Sequence, residues 1–180
     1  MFMQMNFADE VSLKILTVLA QDPQKEYYQR EIAKTAGVSA GATSQKLRAL
    51  VDSGLVSVKK SGKMLFYRYD LDNPVARQFK ILLNVNALQK LIRELQDKAR
   101  RVTLFGSAAE GTNVQDSDID LMVLSEDGRE IRKLIGDYSE LLGKKISPIV
   151  VNAGGLRQMR VRDKPLYERI GRGIVLWERK

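Results

Sequence analysis

A glycine at position 37 separates two short amphipathic patterns, and a β-prone segment follows them at once. Residues 28–36 and 40–52 carry apolar residues at helical spacing. Gly37 supplies the positive φ that a tight turn between two helices requires, and Ser39 is a good N-cap for the second helix. Residues 55–69 contain two β-prone runs around a Gly-containing turn, which is typical of a hairpin. This part of the chain therefore predicts a small domain of helices that is completed by a hairpin.

The second of these helices has two different faces. One face carries an apolar stripe with a threonine one turn earlier, formed by Thr43, Leu47, Leu50 and Val51. The other face carries small or hydrogen-bonding residues, namely Ser39, Gly41, Ser44, Gln45 and Arg48. Such residues can approach base edges and phosphates closely, whereas a surface helix optimised for stability would carry Glu and Ala. Gly41 weakens a helix, and either close approach to another molecule or tolerance near a helix end explains it.

The positive charge of the chain is concentrated in the same region. The chain holds 30 Lys plus Arg against 22 Asp plus Glu, which gives a net charge of +8. Residues 28–70 alone hold 8 basic and 3 acidic side chains. Four of the basic residues lie on the predicted hairpin: Lys59, Lys60, Lys63 and Arg68. This charge balance fits a polyanionic partner, and the alternative is a solvated lysine-rich surface.

Residues 9–70 resemble the winged helix-turn-helix of MarR- and ArsR-like transcription regulators. The segments that carry the resemblance are Arg30–Ser39, Ser44–Leu50 and Gly54–Val56, together with Gly62, Lys63 and Tyr67. The resemblance implies that residues 40–52 form the recognition helix in the major groove of double-stranded DNA, with the tip at 59–63 as the wing. The polar face of that helix and the four basic hairpin residues are then the expected DNA contacts. The alternative is a winged helix that serves protein contacts.

A long stretch without Gly or Pro interruption follows Pro74 and extends to Arg100. At the rise of an α-helix it would span about 40 Å. Its apolar residues step by four and three, in the order Ile81, Val85, Leu88, Ile92, Leu95 and Ala99. This heptad seam predicts a homodimer through residues 81–99, and a second apolar line runs through Val75, Phe79 and Leu82. The alternative is a seam that packs only on the chain's own domains.

Two aspartates in the C-terminal part share one face of a predicted strand. Residues 101–105 and 117–124 are typical of strands, and the two-residue period places Asp118 and Asp120 on one face. Ile119, Leu121 and Val123 then point to the other face and fill a core. Two neighbouring carboxylates repel unless a cation lies between them, and Mg²⁺ with the phosphates of a nucleotide would satisfy both.

The absence of two residue types limits the chemistry. The chain contains no Cys and no His. Thiolate catalysis, a Ser-His-Asp triad and a His-based zinc site are therefore excluded. Any metal ion must be held by oxygen ligands, which favours magnesium, manganese or calcium.

Residues 100–177 resemble the nucleotidyltransferase superfamily related to DNA polymerase beta, in particular its minimal members. The signature is Gly106-Ser107, then Gly111, then Ser117-Asp118-Ile119-Asp120-Leu121, with a closing strand at Gly173–Trp177. The resemblance implies that Asp118 and Asp120 are catalytic and metal-ligating, with Mg²⁺ or Mn²⁺ as cofactor. It also implies that Gly106, Ser107 and Ser117 contact a nucleoside triphosphate, whose α-phosphate an acceptor hydroxyl attacks in line.

The sequence departs from this family at the third carboxylate. Active members usually carry an acid on the following strand, which here is Lys145–Val151 and contains none. Asp137 and Glu140 lie on the preceding predicted helix and are poorly placed by their spacing, while Ser147 is neither a strong ligand nor a base near neutral pH. The site is therefore expected either to bind a metal nucleotide without fast transfer or to have lost both abilities.

These observations predict an α+β protein with three parts. A winged helix-turn-helix domain covers 1–73, a connector and dimerisation helix covers 74–100, and a mixed-sheet nucleotidyltransferase-like domain covers 101–180. No apolar run approaches 18 residues, so we expect no membrane span and a cytoplasmic location. The leading hypothesis is a DNA-binding transcriptional regulator whose C-terminal domain binds metal-nucleotide. The alternatives are an active transferase that places a nucleotide on a protein or small-molecule hydroxyl, with an autoregulatory DNA-binding domain, and a purely structural interaction module.

Overall fold

The computed structural model describes residues 8–179, and the chain divides between Phe79 and Lys80 into two units with separate sheets. The first elements are α1 (Glu10–Gln21), β1 (Tyr27–Tyr28), α2 (Gln29–Ala36), α3 (Ala40–Asp52), β2 (Val56–Ser61), β3 (Met64–Tyr69) and α4 (Pro74–Ala87). The others are α5 (Gln89–Leu95), β4 (Arg101–Phe105), α6 (Ser107–Glu110), β5 (Ile119–Leu124), α7 (Gly128–Leu142), β6 (Ile146–Val151), α8 (Ala153–Arg162), α9 (Lys164–Gly171) and β7 (Ile174–Glu178). The predicted α+β class is confirmed. None of the helices described over 8–179 is long and apolar enough to cross a membrane.

The N-terminal unit packs three helices against one another and against a small sheet. The turn before α3 forms as the sequence predicts, because Gly37 has a φ of 64° and the Ser39 hydroxyl accepts from the Ala42 amide at 3.3 Å. Thr43, Leu47 and Leu50 of α3 are fully buried, as their spacing predicts. The sheet has the order β1-β3-β2 and is antiparallel. Strand β1 was not predicted, because two residues are too few to show an alternation.

Asp9 anchors the start of α1. Its carboxylate accepts from the amides of Val11 and Ser12, each at 3.1 Å, and from the Ser12 hydroxyl at 2.7 Å. Lys46 of α3 donates to the same carboxylate at 2.9 Å. The hydrogen bond from the Ser12 hydroxyl, followed by that from Lys46, holds the pKa of Asp9 well below its ordinary value. Asp9 therefore stabilises the N-terminal unit in its charged form.

Replacing Asp9 with alanine should lower the local stability of α1 by about 1 kcal/mol near neutral pH, because two helix amides lose their partner. The stabilisation is present above the ordinary Asp pKa of 3.8 and is lost as pH falls, because the folded-state pKa is depressed. The difference in the local stability of α1 between variant and wild type should therefore become smaller in acid. Amide hydrogen exchange in α1 at several pH values measures it, and Asp9→Asn, which keeps a capping oxygen, serves as the control. A difference that grows as pH falls would contradict the assignment.

The connector is not one helix, so the prediction of an uninterrupted helix over 74–100 is wrong. The helix breaks at Leu88, whose amide bonds to the carbonyl of Val85 at 3.1 Å rather than one residue further back. The carbonyl of Ala87, the last residue of α4, accepts from the hydroxyl of Tyr138 at 2.7 Å. A side chain that takes a helix carbonyl is a recognised cause of a kink. Neither Gly nor Pro marks this break, which coincides with a tertiary contact.

The predicted dimer seam is largely buried within its own unit. Leu88, Ile92, Leu95 and Ala99 belong to one hydrophobic core with the strands of the C-terminal sheet, and Val85 packs against that core. Leu88 and Leu95 are 0% exposed. These side chains are not available to a second copy of the chain, so a homodimer seam through 81–99 is corrected to an intramolecular contact. The heptad spacing arises because α5 presents one apolar stripe to the sheet.

The C-terminal unit is built on a four-stranded mixed sheet. Its strand order is β6-β5-β4-β7, in which β5 and β6 are parallel and the other pairs are antiparallel. The core around Leu95 covers one face, where Leu121 and Val123 of β5 are buried. A second cluster, formed around Phe105, Met122 and Ile170, covers the other face with α8 and α9. Successive side chains of β5 point to opposite faces of the sheet, so Leu121 and Val123 lie in the first core and Met122 lies in the second.

Candidate functional site

The outward face of α3 in the N-terminal unit is free of large apolar side chains. Gly41, Gln45 and Arg48 are exposed, and Ser44 is half-buried. Ser39 is exposed, but its hydroxyl caps the helix and its carbonyl accepts from Thr43 at 2.9 Å. The start of α3 is also tied to α2, because Gln29 donates to the carbonyl of Ala40 at 3.1 Å. The structure therefore brings the predicted helix residues together on one accessible face with a braced N-terminal end.

The hairpin carries its basic residues at the surface. Lys59, Lys60, Lys63 and Arg68 are exposed, and Gly62 at the tip has a φ of 60°. Lys59 forms an ion pair with Glu26 at 3.1 Å, so part of its charge is compensated within the unit. The unpredicted strand β1 adds Tyr28, whose ring lies 4.5 Å from that of Phe66 on β3. This ring contact joins β1 to the hairpin beside Lys59, which pairs with Phe66.

In the C-terminal unit, the turn after β4 lies directly against one carboxylate. Gly106 has a φ of 68° and a ψ of −156°, a backbone conformation that is essentially restricted to glycine. A Cβ atom built at Gly106 would lie 2.4 Å from Oδ2 of Asp120. Register explains this closeness, because Phe105 pairs with Asp120 across β4 and β5. The glycine of the Gly-Ser pair is therefore required both by its φ and by the carboxylate beside it.

The second carboxylate is held by residues of β6 and its preceding loop. Asp118 Oδ2 accepts from Lys145 Nζ at 2.5 Å and from Ser147 Oγ at 2.8 Å. The Ile119 amide bonds to the Lys145 carbonyl at 2.9 Å, and Asp120 pairs in register with Ser147. Because β5 and β6 are parallel, Lys145 and Ser147 lie on the side of the sheet that carries the aspartates. The shared face predicted for Asp118 and Asp120 thus extends onto the neighbouring strand.

The two carboxylates differ in their electrostatic environment. Hydrogen bonds from Lys145 and then Ser147 lower the pKa of Asp118 below its ordinary value. Burial raises the pKa of Asp120, while the positive charge of Arg169 acts in the opposite direction. Arg169 belongs to α9, and its guanidinium carbon lies 5.3 Å from the centroid of the Phe105 ring. The charge of Lys145 therefore acts on both carboxylates, and the charge of Arg169 acts on Asp120.

Strand β6, on which active transferases were expected to carry a third carboxylate, contains no acidic residue. Ser147 lies opposite Asp120 on β6, where the missing acid was expected. Asp137 and Glu140 are exposed on α7, whose buried residues Ile131 and Ile135 pack on the opposite face of the sheet. Within residues 8–179, no group of three or more His, Cys, Asp or Glu side chains could hold a metal ion. The expectation that Asp137 and Glu140 are poorly placed is confirmed.

The remaining predicted site residues have structural partners. The Ser117 hydroxyl accepts from the Val114 amide at 2.9 Å and closes the loop before β5. Ser107 is half-buried at the start of α6, a helix of only 4 residues. Its carbonyl accepts from the Thr112 amide at 3.0 Å. Ser117 therefore supports the loop that delivers Asp118, and Ser107 begins the turn beside Asp120.

The donor set does not fit the pair of divalent ions that two-metal transfer uses. Such a pair would need more carboxylate ligands than Asp118 and Asp120 supply. Here one oxygen of Asp118 already accepts from an ammonium group and a hydroxyl, and Ser147 is a poor ligand.

Sequence reasoning missed Lys145 and Arg169 as members of this site. Lys145 could have been found, because it precedes Ser147 by two residues and so shares its face of the strand. Arg169 offered no such signal, because its position depends on how α9 packs over Phe105. Helix α8, which precedes α9, was not predicted either, and none of its residues is buried.

Two protein-family models match the chain. Residues 88–170 match the nucleotidyltransferase domain, and residues 9–58 match the arsR family of bacterial regulatory proteins. Both domains suggested by the residue patterns are therefore present. Nucleotidyltransferase domains generally use divalent metal ions, and ArsR-type helix-turn-helix domains bind DNA. No curated protein sequence matches the chain.

Several solved structures are similar to parts of the chain. A toxin-antitoxin structure with AMP-PNP is 28% identical, covers 54% of this chain and 75% of its own, and has a TM-score of 0.41. A protein described as a possible transcriptional regulator for arsenical resistance is 27% identical, covers 50% of this chain and 88% of its own, and has a TM-score of 0.34. A DNA-binding protein from Sulfolobus solfataricus is 17% identical, covers 46% and 93%, and has a TM-score of 0.32.

Proposed function

We propose that this chain, which joins an ArsR-type helix-turn-helix domain to a nucleotidyltransferase domain, is a DNA-binding transcriptional regulator whose C-terminal domain binds a nucleoside triphosphate. The outward face of α3 is the observation that carries the proposal. This face exposes Gly41, Gln45 and Arg48, while Thr43 and Leu47 on the opposite face are fully buried. A helix of this kind can enter the major groove without moving its core residues.

The electrostatics of the N-terminal unit support a duplex as the partner. Helix α3 has no acidic residue in its first turn, and the hairpin adds Lys60, Lys63 and Arg68 at its surface. Lys46, in contrast, is engaged with Asp9 and is expected to contribute little to binding. Contacts from these cations to phosphates would release counterions and make binding strongly dependent on salt.

The C-terminal domain is proposed to bind nucleotide rather than to transfer it rapidly. The support is that Gly106 and Asp120 keep the close contact that their signature implies, while Ser147 stands opposite Asp120 without a carboxylate. A serine hydroxyl cannot remove a proton from an acceptor near neutral pH. Label transfer from radioactive nucleoside triphosphates to the protein or to a co-purified acceptor, abolished in Asp118→Asn, would contradict this part of the proposal.

Replacing Arg48 with alanine should weaken binding to a specific duplex by about 1–3 kcal/mol if the side chain reads a base. The duplex can be obtained by repeated selection from a random library with the full chain. Fluorescence anisotropy at several salt concentrations then gives both the affinity and the salt slope, which is about −0.9 per phosphate contacted. Arg129→Ala, an exposed arginine at the start of α7, is the matched control.

The same titration assigns the role of Arg48. A loss on the selected duplex that exceeds the loss on random DNA indicates a base contact. An equal loss on both, with a shallower salt slope, indicates a phosphate contact. A library from which no duplex is enriched, together with binding that salt does not weaken, would overturn the proposed DNA-binding function.

A further inference from the structure

We propose that Lys145 takes the place of a divalent cation at the Asp118 carboxylate, so that the C-terminal site binds the phosphates of a nucleoside triphosphate without a metal ion. This inference rests on the proposed nucleotide binding and specifies how it is achieved. The observation that carries it is the double contact at Asp118 Oδ2, which accepts from Lys145 Nζ at 2.5 Å and from Ser147 Oγ at 2.8 Å. These two donors occupy one of the two oxygens that Asp118 could offer to an ion, and they place an ammonium group where an ion would lie.

The position of Lys145 is fixed by the backbone. The Ile119 amide bonds to the Lys145 carbonyl at 2.9 Å, which places Lys145 beside Asp118 at the start of the parallel β5–β6 pair. The next residue, Ile146, is 6% exposed and belongs to the core of the unit. The buried side chain of Ile146 and the pairing of β5 with β6 therefore fix Lys145 on the face of the sheet that carries the aspartates.

The ammonium group can still bind a second anion. A lysine ammonium has three donors, of which one is used by Asp118. The side chain of Lys145 is 72% exposed, whereas that of Asp118 is 33% exposed, so the lysine is accessible to a ligand from solvent. Phosphate oxygens are suitable acceptors for such a group, because hydrogen bonds between two charged partners are short and strong.

The charge balance of the site removes the usual need for a metal ion. Two unpaired aspartates would repel a triphosphate, and a divalent cation normally offsets that repulsion. In this chain Lys145 pairs with Asp118, and the charge of Arg169 acts on Asp120. The two aspartates and these two basic residues together have a net charge close to zero. A triphosphate therefore approaches a site whose negative charge is already compensated.

The test measures ligand binding with and without metal on the full chain. Calorimetry is run with ATP, GTP, CTP, UTP and inorganic tripolyphosphate, in excess Mg²⁺ and in excess EDTA. The expected affinity in EDTA is within about threefold of that in Mg²⁺, and Lys145→Gln should lower it by about ten- to hundredfold. Lys133→Gln, an exposed lysine on α7 on the opposite layer, is the control and should leave the affinity unchanged.

The outcomes separate this inference from the function on which it rests. Binding that requires Mg²⁺ overturns the inference and leaves nucleotide binding in place. Binding in EDTA that Lys145→Gln does not weaken overturns the role of Lys145. If none of the five ligands binds under either condition, the proposed nucleotide binding fails, and the inference fails with it.

A gain-of-function variant gives an independent reading that does not depend on nucleotide. Ser147→Asp places a carboxylate opposite Asp120, so Mn²⁺ affinity measured by electron paramagnetic resonance should rise by about tenfold or more over wild type. Ser147→Asn has a similar shape without the charge and should not raise it. Wild-type protein that binds Mn²⁺ as tightly as Ser147→Asp would overturn the inference. The fluorescence of Trp177, which packs on the core of the same unit, checks that each variant is folded.

Discussion

Replacing Gly106 with alanine should destabilise the C-terminal unit by about 1–3 kcal/mol, because the residue would be held at a φ and ψ that essentially only glycine adopts. The new Cβ would also lie 2.4 Å from Asp120 Oδ2, so the carboxylate must move away from the turn. A displaced Asp120 would also disturb the Gly106 turn, which is proposed to contact the phosphates of the nucleotide. We expect nucleotide affinity to fall by about ten- to hundredfold. Urea unfolding and calorimetry on the same protein measure the two effects.

Gly136→Ala is the matched control for this prediction. Gly136 lies within α7, and a Cβ built there meets nothing within 4 Å. Alanine is a better helix former than glycine, so this variant should gain about 0.5–1 kcal/mol and bind nucleotide as wild type does. If Gly106→Ala kept both full stability and full affinity, the close contact between the turn and Asp120 would be refuted.

Replacing Leu95 with alanine should lower the free energy of unfolding of the C-terminal unit by about 2–5 kcal/mol, because it leaves a cavity in a closely packed core. Leu95 is 0% exposed and belongs to the core that also contains Leu88 and Ile92. Trp177, the single tryptophan of the chain, packs against that core, so its fluorescence reports the transition. Light scattering should give the same molar mass for the variant and the wild type.

Leu82→Ala provides the comparison on the same connector. Leu82 is 60% exposed on α4, so its replacement should change stability by no more than about 0.5 kcal/mol. The pair of variants distinguishes the two interpretations of the heptad seam. If Leu95→Ala halved the molar mass and left unfolding unchanged, the seam would be an intermolecular contact after all.

The elements with clear local signals were predicted closely from the sequence. Helix α3 spans the predicted residues 40–52, with Ser39 as its N-cap and Gly37 at positive φ. Strand β4 also matches its predicted bounds, 101–105. Caps, turns and periodicity act over a few residues, so they can be recognised without knowledge of the fold. The lack of an acid on β6 was equally visible.

In the connector, residues 74–100, local sequence signals were not sufficient to predict the structure. Its heptad spacing was correctly recognised as an apolar stripe, but the stripe packs in the core of its own unit and not, as predicted, on a second copy of the chain. Burial of apolar surface is favourable whatever covers it. A stripe at Leu88, Ile92 and Leu95 therefore does not reveal whether it packs on a second chain or on the chain's own sheet. The break at Leu88 was invisible for a related reason, since it coincides with a hydrogen bond from the Tyr138 hydroxyl to the Ala87 carbonyl, and Tyr138 lies 51 residues further along the chain.

The amino-acid sequence by itself determined the helices and strands that have clear local signals, such as α3 and β4, together with the separate faces of α3 and β5. It also determined that the chain has no Cys and no His and that β6 has no acidic residue. The tertiary structure alone decided which distant groups meet. Strand pairing brings Lys145 to Asp118 across 27 residues, and the packing of α9 brings the charge of Arg169 to act on Asp120. Secondary structure follows from interactions between near neighbours, whereas a charged site is defined by distances in space, which strand order and register set only when the sheet has formed.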